Sequence, residues 1–144
     1  MKNTAAIPGA KNKTRSIFYW IVTVLICFEL VHGALWDFNL LNKGYVYGVL
    51  DHLGYPHYLA TILGICKIVA SVCFLMPGFL LLKEWAYTGI VILFSAACVS
   101  HLIVGDGPGV FIWSAVFAIL TILSYLLRPA SRRVLQQLAP AQQG

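Results

Sequence analysis

The sequence predicts an all-α membrane protein: a bundle of four transmembrane helices with a short extra helix in the first outer loop and both termini in the cytoplasm. Three observations lead there. First, the chain of 144 residues is 60% hydrophobic and 10% charged, with a mean hydropathy of +0.82. A soluble domain carries about a quarter of its residues as charges. Second, four apolar runs approach twenty residues, enough to cross roughly 30 Å of hydrocarbon at 1.5 Å per residue. Third, the cationic residues lie mainly outside those runs, at the two ends of the chain. Spans must be helices, because an open sheet edge in lipid leaves backbone groups unpaired.

Taken in order, a polar tail (residues 1–16) precedes the first span at about 17–36, "IFYWIVTVLICFELVHGALW". The tail shows no secretory signal pattern, and the run after it is long enough to stay embedded. The second span covers about 57–76 and stops at Pro77-Gly78. The third covers about 85–104 and stops at "GDGPG"; the fourth, about 110–127, stops at Arg128-Pro129. Residues 128–144 form a tail, basic and weakly amphipathic at first and disordered at its end. The whole chain is one membrane domain. The loop "DFNLLNKGYVYGVLDHLGYP" holds the expected short helix, around Leu40 to Leu53, lying on the membrane surface or over the mouth of the bundle.

Orientation follows from lysine and arginine. Lys2, Lys11, Lys13 and Arg15 precede the first span, Lys83 falls in the second loop, and Arg128, Arg132 and Arg133 follow the last span. The other two loops hold only Lys43. The positive-inside rule then puts both termini in the cytoplasm, and the net charge of +5 needs no nucleic acid to explain it. Aromatic belts agree: Tyr19, Trp20, Trp85, Tyr87 and Tyr125 near the inner boundary, and Trp36, Tyr58 and Trp113 near the outer one.

Only two formal charges lie deep. Glu29 is about 10 Å below the outer end of the first span and Lys67 about 15 Å below that of the second, by helical rise. A charge in hydrocarbon costs at least ~2.5–3.5 kcal/mol on insertion scales, so each needs a partner. Their depths make a Glu29–Lys67 pair the natural expectation. Such a pair either fixes helix register or binds a ligand, a proton or a quinone. His32, three residues after Glu29, shares its helix face, and His101 ends the third span. Glu29, His32, Lys67 and His101 are thus the candidate intramembrane polar site. Asp37, His57 and Asp106 are secondary candidates on the outer side, where His52 and Asp51 also fall. Together they describe a polar funnel opening outward.

Glu29-x-x-His32 is one copy of an arrangement that di-iron bundles use in pairs. No second copy occurs and the irregular histidine spacing makes no zinc or copper motif, so no metal is expected. The four cysteines, Cys27, Cys66, Cys73 and Cys98, all fall within spans without a C-x-x-C, as small apolar residues do. Small residues (Ala60 and Gly64, Ala70 and Ser71, Ser95 to Ala97 with Ser100) point to close helix packing. No motif for a bound cofactor appears.

Four stretches, "RSIFYWIVT", "HLGYPHYLATILGICKIVA", "LKEWAYTGI" and "SHLIVGD", in this order and spacing resemble the DoxX-like family of small bacterial membrane proteins. The resemblance runs from about Arg15 to Asp106, through Gly54, Tyr55, Pro56, Gly64, Lys67, Lys83, Glu84, Trp85, His101 and Asp106. It implies a four-helix protein of the bacterial cytoplasmic membrane. The family takes its name from a subunit of an archaeal thiosulfate:quinone oxidoreductase, and related eukaryotic proteins look like chaperones for other membrane proteins. By position, Glu84 and Trp85 form an interface anchor, with Lys83 or Arg128 available to pair with Glu84. The expected function is an accessory or assembly subunit of a membrane complex, not an enzyme alone. The alternatives are a quinone-interacting subunit of a membrane oxidoreductase and a small transporter or proton pathway. The expected partners are the lipid bilayer and either a membrane protein or further copies of the chain, with no nucleic acid.

Overall fold

The computed structural model describes residues 8–133, with side chains from Lys13 onward except Ala130. The described residues form five α-helices and one 3-10 turn: α1 (Pro8–Asp37), α2 (Tyr45–Leu53), α3 (Tyr58–Leu75), α4 (Leu80–Ile103), α5 (Pro108–Leu127) and the turn Ala130–Arg132. Four of them, Lys13–Asp37 within α1, α3, α4 and α5, are long and apolar enough to span a membrane. The part of the expected disordered tail at 134–144 lies outside the described residues.

The four spans form a ring in the order α1, α3, α4, α5, with α1 closing onto α5. Val22, Ile26 and Leu30 of α1 meet Ala70 and Phe74 of α3, Tyr87, Ile90 and Phe94 of α4, and Ala118 of α5 in a single core. Outward faces are apolar too, as lipid requires; Trp85, Trp113 and Ile119 are all exposed.

Helix ends differ from the sequence reading where local chemistry moves them. α1 starts at Pro8, so residues 8–16 of the expected tail are already helical; proline suits a first helical turn. α2 starts at Tyr45 rather than Leu40, because Asn39 (φ 58°), Asn42 (φ 32°) and Gly44 (φ 88°) take left-handed conformations between the two helices. The amide of Gly44 donates to Asn39 Oδ1 at 2.6 Å, fixing that turn. α4 starts at Leu80, five residues before the expected boundary, so Lys83 is in its first turn and not in a loop.

That shift changes what the basic end of the bundle does. Lys83 is fully buried. Its ammonium donates to the carbonyls of Met76 and Gly78, the latter at 2.9 Å. Arg132 donates to Phe74 O at 2.9 Å and to Leu75 O at 3.5 Å. The two cations thus satisfy the last carbonyls of α3 and complement the negative end of its dipole. Arg128, and not Lys83, pairs with Glu84, at 2.8 Å, with its guanidinium 4.1 Å from the Tyr125 ring centroid. Tyr19 and Tyr87 face into the bundle and are buried, beside Arg132 and Arg128 at the basic end. Tyr87 shares a hydrogen bond with Ser124 (2.8 Å), and Ser124 with Thr23 (2.8 Å), tying α4, α5 and α1 together through hydroxyls. Hydroxyl partners of this kind are effective glue between helices in lipid.

Candidate functional site

The opposite end, which carries α2, holds most of the candidate polar residues. Lys67 is there, but its partner is Asp37: Nζ donates to Asp37 Oδ2 at 2.6 Å, with both side chains largely buried. No Glu29–Lys67 ion pair forms. Two glycines explain the choice. A Cβ on Gly33 of α1 would lie 3.2 Å from Lys67 Nζ, so the lysine runs up α1 across a position with no side chain. A Cβ on Gly64 of α3 would lie 2.9 Å from the Phe38 ring and 3.1 Å from Asp37 Cβ. Each helix therefore leaves a gap for the other, and a long lysine reaches the end of α1 instead of its middle. The ion pair also offsets the cost of a carboxylate at the negative end of a helix.

Glu29 and His32 sit apart from this pair on a flank of α1. His32 Nδ1 lies 4.0 Å from Glu29 Oε2, and their side chains remain 46% and 34% exposed. Trp36 Nε1 donates to His32 Nε2 at 3.1 Å. Nε2 is thus the acceptor, which leaves the Nδ1 proton facing Glu29. Of the expected funnel, Lys67 pairs with Asp37, while Glu29 and His32 keep a contact of their own.

A cleft of about 700 Å³ lies between α3 and α4. It extends from Tyr55 and Ser100 at the α2 end to Leu82 and Trp85 at the basic end, with Lys67 and Cys66 in its wall. From Ser100 to Trp85 is about 22 Å by helical rise. Leu50 and Leu53 of α2 cover its mouth at the α2 end. The stripe Ala86, Gly89, Ala96, Ala97 and Ser100 makes the room for it. On α4 the small residues therefore open a cleft, contrary to the expected close packing, while Ala60, Gly64, Ala70 and Ser71 of α3 are buried as expected. A Cβ on Gly89 would meet nothing within 4 Å.

The cover is fastened by polar side chains. Tyr55 OH and Ser100 Oγ share a hydrogen bond of 2.8 Å. Asp106, between α4 and α5, lies 2.8 Å from His52 Nε2 with one oxygen and 2.6 Å from His101 Nδ1 with the other. These two histidines hold the Asp106 carboxyl below the usual carboxylate range, His101 having the larger effect. His57 Nε2 is 2.7 Å from Asp51 Oδ1 and its ring stacks on Tyr47 at 4.6 Å, linking the end of α2 to the start of α3. Gly54 (φ 76°) ends α2, with its amide and that of Tyr55 donating to Asp51 O and Leu50 O. His52 and Tyr55 thus belong to the site although the sequence reading did not select them. Among the described residues no three His, Cys, Asp or Glu side chains are gathered to hold a metal.

Four apolar helices, a core of interlocked side chains and lipid-facing outer surfaces define a multi-pass membrane protein with a side cleft. The model of the DoxX-like family matches residues 21–124, from the first span to near the end of the fourth, and the chain belongs to that family. Comparison with curated proteins and with solved structures gave no match.

Proposed function

We propose that this DoxX-like protein is an accessory subunit of a bacterial cytoplasmic-membrane complex, and that its α3–α4 cleft binds a quinone with an isoprenoid tail. The observation behind this reading is the cleft itself. Its volume falls in the range of ligand sites, roughly 300–1,000 Å³, and its walls are nearly all apolar. The few polar groups lie toward one end: the Tyr55–Ser100 hydroxyls, and Lys67 in the wall with its Nζ turned to Asp37 of α1. An ammonium has three donors, and Asp37 takes one of them. Lys67 would donate to a carbonyl oxygen of the ring beside the Tyr55–Ser100 hydroxyl pair, and the tail would lie along Gly89 and Leu93 toward Trp85. Quinones supply reversible electron and proton transfer when bound; the residues of this chain supply orientation and exclusion of water. A redox-active partner subunit would supply the other electron carrier. Lys13, Arg15, Lys83, Arg128, Arg132 and Arg133 at one end, against Lys43 at the other, support a cytoplasmic position for the basic end.

Gly89→Phe tests this, because Gly89 lines the cleft and a Cβ there meets nothing within 4 Å, so a phenyl group enters the space the tail would take. Organic extracts of parent and variant, purified in one mild detergent, are compared for quinone per protein. The parent should carry near-stoichiometric quinone and Gly89→Phe at least fivefold less, at equal phospholipid. Equal quinone in both rejects the cleft as the site.

A further inference from the structure

The cleft leaves Glu29 and His32 unexplained. Both lie within the first span, Glu29 eight residues and His32 five residues before the helix end at Asp37. Neither lines the cleft, and both side chains stay partly exposed on the outside of the bundle. An ionisable pair facing lipid is expensive, and such groups normally face protein or water. The flank around them has a regular pattern. Ile17, Phe18, Trp20, Ile21, Val24, Leu25, Phe28 and Val31 are exposed, and within this broad face Phe18, Ile21, Leu25, Phe28 and His32 recur at spacings of three, four, three and four residues. That is the seam of a left-handed helix pair.

We propose that this face of α1 docks a second copy of the same chain. Identical chains share one orientation in the membrane, so the two α1 helices run parallel about a two-fold axis along the membrane normal. Glu29 of one copy then lies level with Glu29 of the other, and His32 lies one turn nearer the outer side. The face is self-complementary: each His32 offers the proton on Nδ1, and each Glu29 offers a carboxylate. Across the seam each imidazole meets the carboxylate of the other copy, so both polar groups leave the lipid together. Trp36 sets this donor direction by occupying Nε2. The proposal is independent of what the cleft binds.

Two differently tagged copies, co-expressed and reconstituted in phospholipid vesicles, provide the test. They should co-purify, and Phe28→Cys should form a cross-chain disulfide on mild oxidation. Ile119→Cys, exposed at similar depth on α5, should give no more than the native cysteines do. The double variant Glu29→Leu, His32→Leu should weaken association about tenfold, the loss expected from two interhelical hydrogen bonds in lipid. It places apolar groups against lipid, so its fold should persist, and Phe28→Cys gives a readout that does not depend on it. Absence of co-purification, a Phe28→Cys disulfide no stronger than that of Ile119→Cys, or unchanged association of the leucine variant would each overturn the proposal. So would capture of a different protein through Phe28→Cys in native membranes without a second copy.

Discussion

Replacing Lys67 with methionine leaves the Asp37 carboxylate buried without its cation, and this one change tests the geometry most directly. In the parent the two groups are 2.6 Å apart, with side chains 15% and 7% exposed. Removing one partner from a buried pair typically costs about 3–5 kcal/mol. Protonation gives a ceiling on that loss: neutralising an ordinary carboxyl of pKa near 3.9 at pH 7 costs about 4 kcal/mol. Lys67→Met should therefore lose about 3–4 kcal/mol. Adding Asp37→Leu removes the stranded charge, and the double variant should return to within about 1 kcal/mol of the parent. Equilibrium unfolding in lipid–detergent micelles, monitored by tryptophan fluorescence, measures all four members of the cycle. If Lys67→Met is as stable as the parent, or if Asp37→Leu gives no recovery, the pairing is wrong. If Glu29→Leu rescues Lys67→Met better than Asp37→Leu does, the pair lies deeper, where the depth argument put it.

Two further outcomes concern the glycines and the cover of the cleft. Gly64→Ala should cost about 1–3 kcal/mol by overpacking the Phe38 ring. Gly89→Ala should be neutral or stabilise by up to about 1 kcal/mol, since it adds helix propensity in open space; thermal unfolding of the two variants side by side checks the contrast. Asp106→Asn should speed amide hydrogen exchange in α2, because it replaces the carboxylate that takes both His52 and His101. The folded carboxyl titrates below its ordinary 3.8. Its contribution is therefore complete above that value and lost as pH falls through the lower folded pKa. The parent and Asp106→Asn should differ in α2 exchange at pH 6 and converge only as the pH falls through the lowered folded pKa, beneath 3.8. A difference that grows with acidification would contradict this linkage.

The sequence was enough for the bundle. Span length, apolar content and the placement of arginine and lysine are properties of a segment against its solvent, and a bilayer imposes them helix by helix. The short helix before the second span was legible too, within a few residues. Its start was misplaced because two asparagines and Gly44 adopt left-handed turns that the apolar pattern does not register. The presence of charged groups within the spans was also readable, since charge in hydrocarbon is rare enough to stand out.

What the sequence left open was helix rotation, and pairing depends on it. Depth alone favoured Glu29 for Lys67, but Gly33 and Gly64 let the two helices interlock so that the lysine reaches Asp37. Rotation likewise turned Glu29 and His32 outward. The small residues of α3 and α4 look alike as sequence, yet those of α3 lie buried in the bundle and those of α4 line a cleft. Lys83 reads as a loop cation until the turn at Gly78 and Phe79 brings it under the end of α3. A segment's composition decides whether it enters the membrane. Which of its faces meets protein, ligand or lipid is a property of the neighbours, and only the assembled bundle supplies them.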